Sequence, residues 1–280
     1  MDDTRAFQLI DEIDAKLTEL TQNQFLNPEI FAVLDNVEAD RRAIDAARGK
    51  IGEALWLRLQ DIAGSVYAGN IRRGEVASFY DVVSRLGTHQ TKVMIMQLGF
   101  HQSANRDPEA ERLFARSFAT SVMAGVLAWQ MGFRENSAQR AELGGLFLEI
   151  GRQMMTSYKK TIAPGSGEID DAFIDTYHPY LAVKIIKRFG LPDFLQTIVL
   201  AQTVILEENA VSLPGVIYLA RDMVRASFLK YGNRLVLRCQ TPRPGTDVSR
   251  TLEAIIRDKF HAAGLDQYLI ILRVPRIHEL

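Results

Sequence analysis

The sequence predicts an all-α protein, a bundle of many helices, and three observations carry that reading. Apolar residues recur at spacings of three and four along most of the 280-residue chain. That spacing lines up one face of a helix. Proline falls at first turns and glycine just past last turns, the asymmetry expected of helix ends. Strand-like and helix-like segments do not alternate, so a parallel sheet is not expected.

The helices follow in order. Phe7, Ile10, Ile13, Leu17 and Leu20 form one apolar stripe. It can fold back on its own domain or serve as a short seam for a second copy of the chain. Asn27 caps the next helix, with Pro28 at its first position, and Gly49 and Gly52 punctuate a loop. Ile51, Leu55, Leu59 and Ile62 continue at helical spacing, and Ala63 to Glu75 reads as a loop. Ser78 precedes a helix stopped at Gly87, and Thr88 is placed to cap another. The polar run His101 to Glu111 divides two helical halves. A long helix then spans Glu109 to Met131, and another spans Ala138 to about Tyr158, softly broken by Gly144, Gly145 and Gly151. His178-Pro179 is expected to open a helix ending at Gly190, Leu191-Pro192 the next, and Ser212 with Pro214 a third that runs to about Lys230. A further helix is expected from Thr246 to Ala263. The apolar runs Leu235 to Cys239 and Tyr268 to Val274 fit strand and helix equally by periodicity. The chain therefore divides into an N-terminal amphipathic helix (1–24), an N-terminal helical half (25–105), a second helical half (106–234) and a C-terminal extension (235–280) with a short two-stranded or irregular element.

Composition removes several classes of function. Apolar residues make up 47% and charged residues 24%, a globular balance rather than a disordered one. The formal net charge of −1 offers nothing for nucleic acid to bind. Arg41-Arg42, Arg72-Arg73 and Lys159-Lys160 are isolated pairs on solvated faces or loops. Cys239, the one cysteine, excludes an internal disulfide and any multi-cysteine zinc site, and reads as a buried structural thiol. The acidic N-terminus lacks the order of a signal peptide, and no apolar run is long enough to span a membrane. A cytoplasmic location is the expectation.

The order of segments says more than any one of them. SVYAG follows a helix, then come Leu86-Gly87, RSFATSVMAGVLA, GLFLEIG, HPYLAVKIIKRFGLP and YLARDMV. Over about Phe25 to Tyr231 this order resembles the HDOD family, the output-domain branch of the HD metal-dependent phosphohydrolase superfamily. The FGLP box, Phe189 to Pro192, and the G-x-x-x-E-I-G pattern carry most of the resemblance.

That resemblance implies a multi-helix HD-like bundle and a set of metal positions. A working HD-type site holds a hard cation with histidines and aspartates, and a bound water becomes the nucleophile. Carried over residue by residue, the first family histidine falls on Arg116, which is permanently charged and cannot ligate a cation. The family His-Asp pair falls on Leu148-Glu149, so one ligand atom is lost and one carboxylate is kept. The later histidine is kept as His178, read as a helix cap or a buried hydrogen-bonding group. The histidine pair of the next helix falls near Ala201-Gln202-Thr203, and the final aspartate is matched by Asp222. Arg116 is expected to fill the metal's place and to pair with Glu149 or Asp222.

Three functions follow from these positions. The first is a non-catalytic module of bacterial signal transduction, without metal or other cofactor. It would act through a sensory or output protein, or through a small ligand. The second is a divergent phosphohydrolase using Glu149, His178 and Asp222. The third is a nucleotide-binding sensor in which Arg116 and Arg152 hold a phosphate. Neither nucleic acid nor membrane is an expected partner, while a homodimer through the N-terminal helix is left open.

Overall fold

Helix caps written into the sequence set most of the element boundaries. A computed structural model describes residues 3–24, 27–36, 38–64, 76–103, 107–161, 163, 167–201, 212–240 and 251–274. The first helices are α1 (Asp3–Gln24), α2 (Pro28–Asp35), α3 (Arg41–Ala47), α4 (Glu53–Gly64), α5 (Phe79–Leu86) and α6 (Thr88–Ser103). The second half holds α7 (Pro108–Gln130), α8 (Glu135–Phe147), α9 (Ile150–Thr161), α10 (Asp171–Arg188), α11 (Phe194–Ala201) and α12 (Leu213–Lys230). The C-terminal region holds β1 (Leu235–Gln240), α13 (Leu252–Ala262) and β2 (Leu269–Val274). The expected loop at Ala63 to Glu75 and the expected helix start at Thr246 fall largely outside the described residues.

Capping side chains satisfy backbone N–H groups that have no partner within the helix. Asn27 accepts from Glu29 N at 2.9 Å, and Ser212 accepts from Gly215 N at 3.2 Å. Ser78 and Asp81 form a reciprocal capping box at the start of α5. Asp107 caps α7, with Pro108 at the first turn. Thr88 is the first residue of α6 rather than a residue preceding it. The region after Pro28 is two helices, because Asp40 accepts from Ala43 N at 2.8 Å and starts α3 afresh.

Three features depart from the sequence expectations. His178-Pro179 does not open a helix; both lie inside α10, which starts at Asp171. Asp170 accepts from Phe173 N at 2.7 Å, and this cap starts the helix upstream of the proline. Pro179 removes the amide that would have bonded the Asp175 carbonyl, a local loss that the surrounding packing absorbs. Asp170→Ala should cost about 1 kcal/mol and lower the thermal midpoint by about 2 °C; an unchanged midpoint would show that α10 does not depend on this cap.

The second departure lies between α8 and α9. One softly broken helix was the expectation, and the break falls at Leu148-Glu149 rather than at a glycine. The glycines serve close packing instead. A Cβ on Gly145 would come within 2.9 Å of the Ser121 Cα and the Thr120 carbonyl oxygen. This is where α8 passes α7.

The two-stranded C-terminal element, one of the two forms expected, is present, and the third departure is its parallel pairing. β1 and β2 pair in parallel, from Leu235 opposite Leu269 to Gln240 opposite Val274. A parallel pair needs a crossover, and the chain between the two strands contains α13. Phe260 of α13 packs edge-on against Phe118, with ring centroids 5.5 Å apart. Lys259 pairs with Glu142 of α8 at 2.5 Å, with the lysine buried and the glutamate nearly so.

Most of α7 from Ser117 to Val126 is buried, which makes it the central helix of the bundle. The N-terminal helix α1 packs on α9 and α10. Ala6, Leu9, Ile10 and Ile13 are buried there, while Phe7 meets the rings of Tyr177 and Tyr180. No helix among the described residues is long and apolar enough to cross a membrane.

Candidate functional site

Four helices bring charge to one buried carboxylate. The α8–α9 break presents Glu149, whose side chain is 8% exposed. Arg116 of α7 donates from Nη2 to Glu149 Oε2 at 2.9 Å. Arg152, one turn along α9, has Nε 2.9 Å from the same oxygen. Its N–H does not point along that line, so Nε stays without a hydrogen bond. Arg152 also pairs through Nη1 with Asp175 of α10. Burial pushes the Glu149 pKa up, but Arg116 first, then Arg152, His178 and Arg221, pull it down, and the net position is below the ordinary glutamate value. Glu149 is therefore an anion at neutral pH.

His178 lies beside this cluster and is 3% exposed. It is not a cap, because α10 begins seven residues earlier at Asp171. Nor is its ring fully hydrogen-bonded: Nδ1 is buried without a partner. Burial, with smaller contributions from Arg152 and Arg116, lowers its pKa to about 4 against the opposing pull of Glu149 and Asp175. The imidazole is neutral at physiological pH.

The remaining expected positions lie apart from the carboxylate. Leu148 is fully buried in the apolar core. Asp222 is 61% exposed and bonds its neighbour Arg221 at 3.0 Å, so of the two carboxylates offered to Arg116 only Glu149 is taken. Of the Ala201-Gln202-Thr203 segment, Gln202 and Thr203 lie outside the described residues. Arg221 and Asp175 were not anticipated. Arg221 lies with its guanidinium carbon 4.8 Å from the Tyr218 ring centroid, and Tyr218 donates to the Ile198 carbonyl.

The described residues offer the metal that the HD superfamily implies no assembled ligand set: no three His, Cys, Asp or Glu side chains converge among them. A cation at Glu149 would have to displace Arg116, which already donates to Oε2.

Arg116 also faces a second space. A cavity of about 410 Å³ between α7 and α12 is lined by Glu109, Arg112, Leu113, Arg116, Arg225, Phe228, Leu229 and Asn233. Arg112 and Arg116 are one turn apart on α7, and Arg221 and Arg225 one turn apart on α12. The R-x-x-x-R spacing of Arg112 and Arg116 is a sequence signal for the groove, while Arg221 is not part of its lining.

Comparison with known proteins agrees with this architecture. The model of the HDOD domain matches residues 52–204. Two solved structures from Shewanella amazonensis SB2B are similar at 14% identity. One is named "Putative phosphohydrolase"; the similarity covers 93% of this chain and 96% of that one, with a TM-score of 0.53. The other is named "Putative metal-dependent phosphohydrolase"; the similarity covers 93% and 91%, with a TM-score of 0.51. At that identity they speak for the fold alone. No curated protein matches. The family match spans more than half of the chain, and the chain belongs to the HDOD domain family.

Proposed function

We propose that this chain is a non-catalytic regulatory module of bacterial signal transduction, acting by binding a protein or a small ligand. The pairing of Arg116 with Glu149 carries the reading. HDOD domains are related to metal-dependent phosphohydrolases, whose chemistry needs carboxylates free to hold a cation. Here the buried carboxylate is neutralised by guanidinium groups, and removing one partner from such a pair leaves an expensive unpaired charge. The arrangement favours a fixed scaffold over an open site.

The test is metal analysis of the purified protein with a phosphodiesterase assay in manganese. The expected result is substoichiometric metal and no turnover above buffer. Stoichiometric metal, together with turnover abolished by Glu149→Gln, overturns the reading in favour of a divergent phosphohydrolase.

A further inference from the structure

We propose that the groove between α7 and α12 binds a phosphorylated small molecule of nucleotide size, its phosphate held by Arg112, Arg116 and Arg225. The assignment names a ligand class for the regulatory reading and rests on that reading only for the claim that the ligand is left unchanged.

Three arginines line one groove of about 410 Å³. Each is permanently charged, Arg116 is offset by Glu149 behind it, and an anion in the groove would offset Arg112 and Arg225. Their own counter-charges are few. Arg225 makes no ion pair among the described residues. Arg112 uses Nε on the Pro108 carbonyl at 2.9 Å, which anchors the side chain and leaves its terminal amino groups without a partner among those residues. Arg116 is held from behind by Glu149, so its guanidinium is positioned before any ligand arrives. The one carboxylate on the groove wall, Glu109, is already paired with Lys160 at 2.5 Å.

The other surfaces of the groove are apolar. Leu113 and Phe228 contribute apolar wall, and Leu229 is 80% exposed beside them. Inorganic phosphate would use the guanidinium groups and leave this surface wet. A phosphate carrying a sugar and a base would use both. Asn233 also lines the groove, in the left-handed conformation (φ 63) at the end of α12. Its amide can donate to or accept from a ring edge.

Calorimetric titration of the full chain with GMP, AMP, ribose 5-phosphate, inorganic phosphate and guanosine tests the proposal. One of the nucleotides should bind more tightly than ribose 5-phosphate, inorganic phosphate more weakly still, and guanosine not detectably. Arg225 is exposed, so Arg225→Ala should fold normally and weaken nucleotide binding about ten- to a hundredfold, the loss of one charge-assisted contact. Arg134→Ala, on an exposed arginine outside the groove, should leave it unchanged. Absence of binding by both nucleotides at millimolar concentration overturns the proposal. So does guanosine binding as well as GMP, or an Arg225→Ala affinity equal to that of the wild type. Equal affinity for ribose 5-phosphate overturns the assignment of a base. Nucleotide recovered intact agrees with the regulatory reading; phosphate released from it overturns that reading and leaves the groove assignment standing.

Discussion

Gly151→Ala is expected to destabilise the protein by about 3 kcal/mol or more, although the same change in an open helix is stabilising by about 0.5–1 kcal/mol. Gly151 is the second residue of α9, where that helix crosses α10. A Cβ there would overlap the carbonyl oxygen of His178, and it would lie 2.8 Å from the carbonyl carbon and 3.1 Å from Ala182 N. All three atoms are backbone, so no rotamer change relieves the overlap. The two helices must separate, and they carry the cluster with them: Arg152 and Asp175 sit on opposite sides of this crossing. Gly49 is the control, because nothing lies within 4 Å of the Cβ it would gain. Urea unfolding of the wild type and both variants decides the matter. Gly49→Ala should stay within about 0.5 kcal/mol of the wild type. A Gly151→Ala midpoint equal to that of the wild type would show that α9 and α10 do not pass as closely as described.

How much of this was legible in the sequence depended on how far apart the interacting residues lie. Caps are local, and Asn27, Ser78 and Ser212 could each be read from a few neighbours. His178-Pro179 misled because proline is a strong local signal for a helix start. The cap eight residues before the histidine, and the packing against Gly151, are what keep Pro179 inside α10. The strands β1 and β2 were undecidable for a similar reason. Their pairing joins residues more than thirty positions apart, and short apolar runs have no period that distinguishes strand from helix. At the site, Arg116 and Glu149 were found through their place in a family pattern, and the structure brings them together. Arg152 was one phosphate-holding candidate in the nucleotide-sensor reading, and it lies between Glu149 and Asp175. Asp222 was expected near the cluster from the family pattern, yet consecutive residues on a helix point about 100° apart. Arg221 takes the inward direction and Asp222 the outward one. Only contacts between distant helices reveal that difference.

Those same contacts predict how stability responds to acid. His178 has a folded pKa of about 4, against about 6.5 in the unfolded chain. Between those values the unfolded chain binds a proton that the folded protein refuses. Stability therefore rises with pH across this window and is lost as pH falls from about 6.5 to about 4, in total by about 3 kcal/mol. Glu149 acts in a separate range. Its folded pKa is depressed, so its contribution is present above the unfolded glutamate value and disappears only as pH falls through the lower folded one. Glu142 works in the opposite sense. Burial raises its pKa, with Lys259 opposing, so its protonation favours the fold as pH drops. The informative quantity is therefore the difference between the wild type and His178→Asn, in which Glu142, Glu149 and the surface carboxylates cancel to first order. Unfolding free energies measured at intervals from pH 7.5 to pH 4.5 should show the wild type falling more steeply than the variant by about 1.4 kcal/mol per pH unit in the lower part of that range. Parallel curves would mean that His178 is solvated or hydrogen-bonded in solution. Its neutral ring would then no longer be the reason Arg116 and Arg152 can share one carboxylate without a third positive charge beside them.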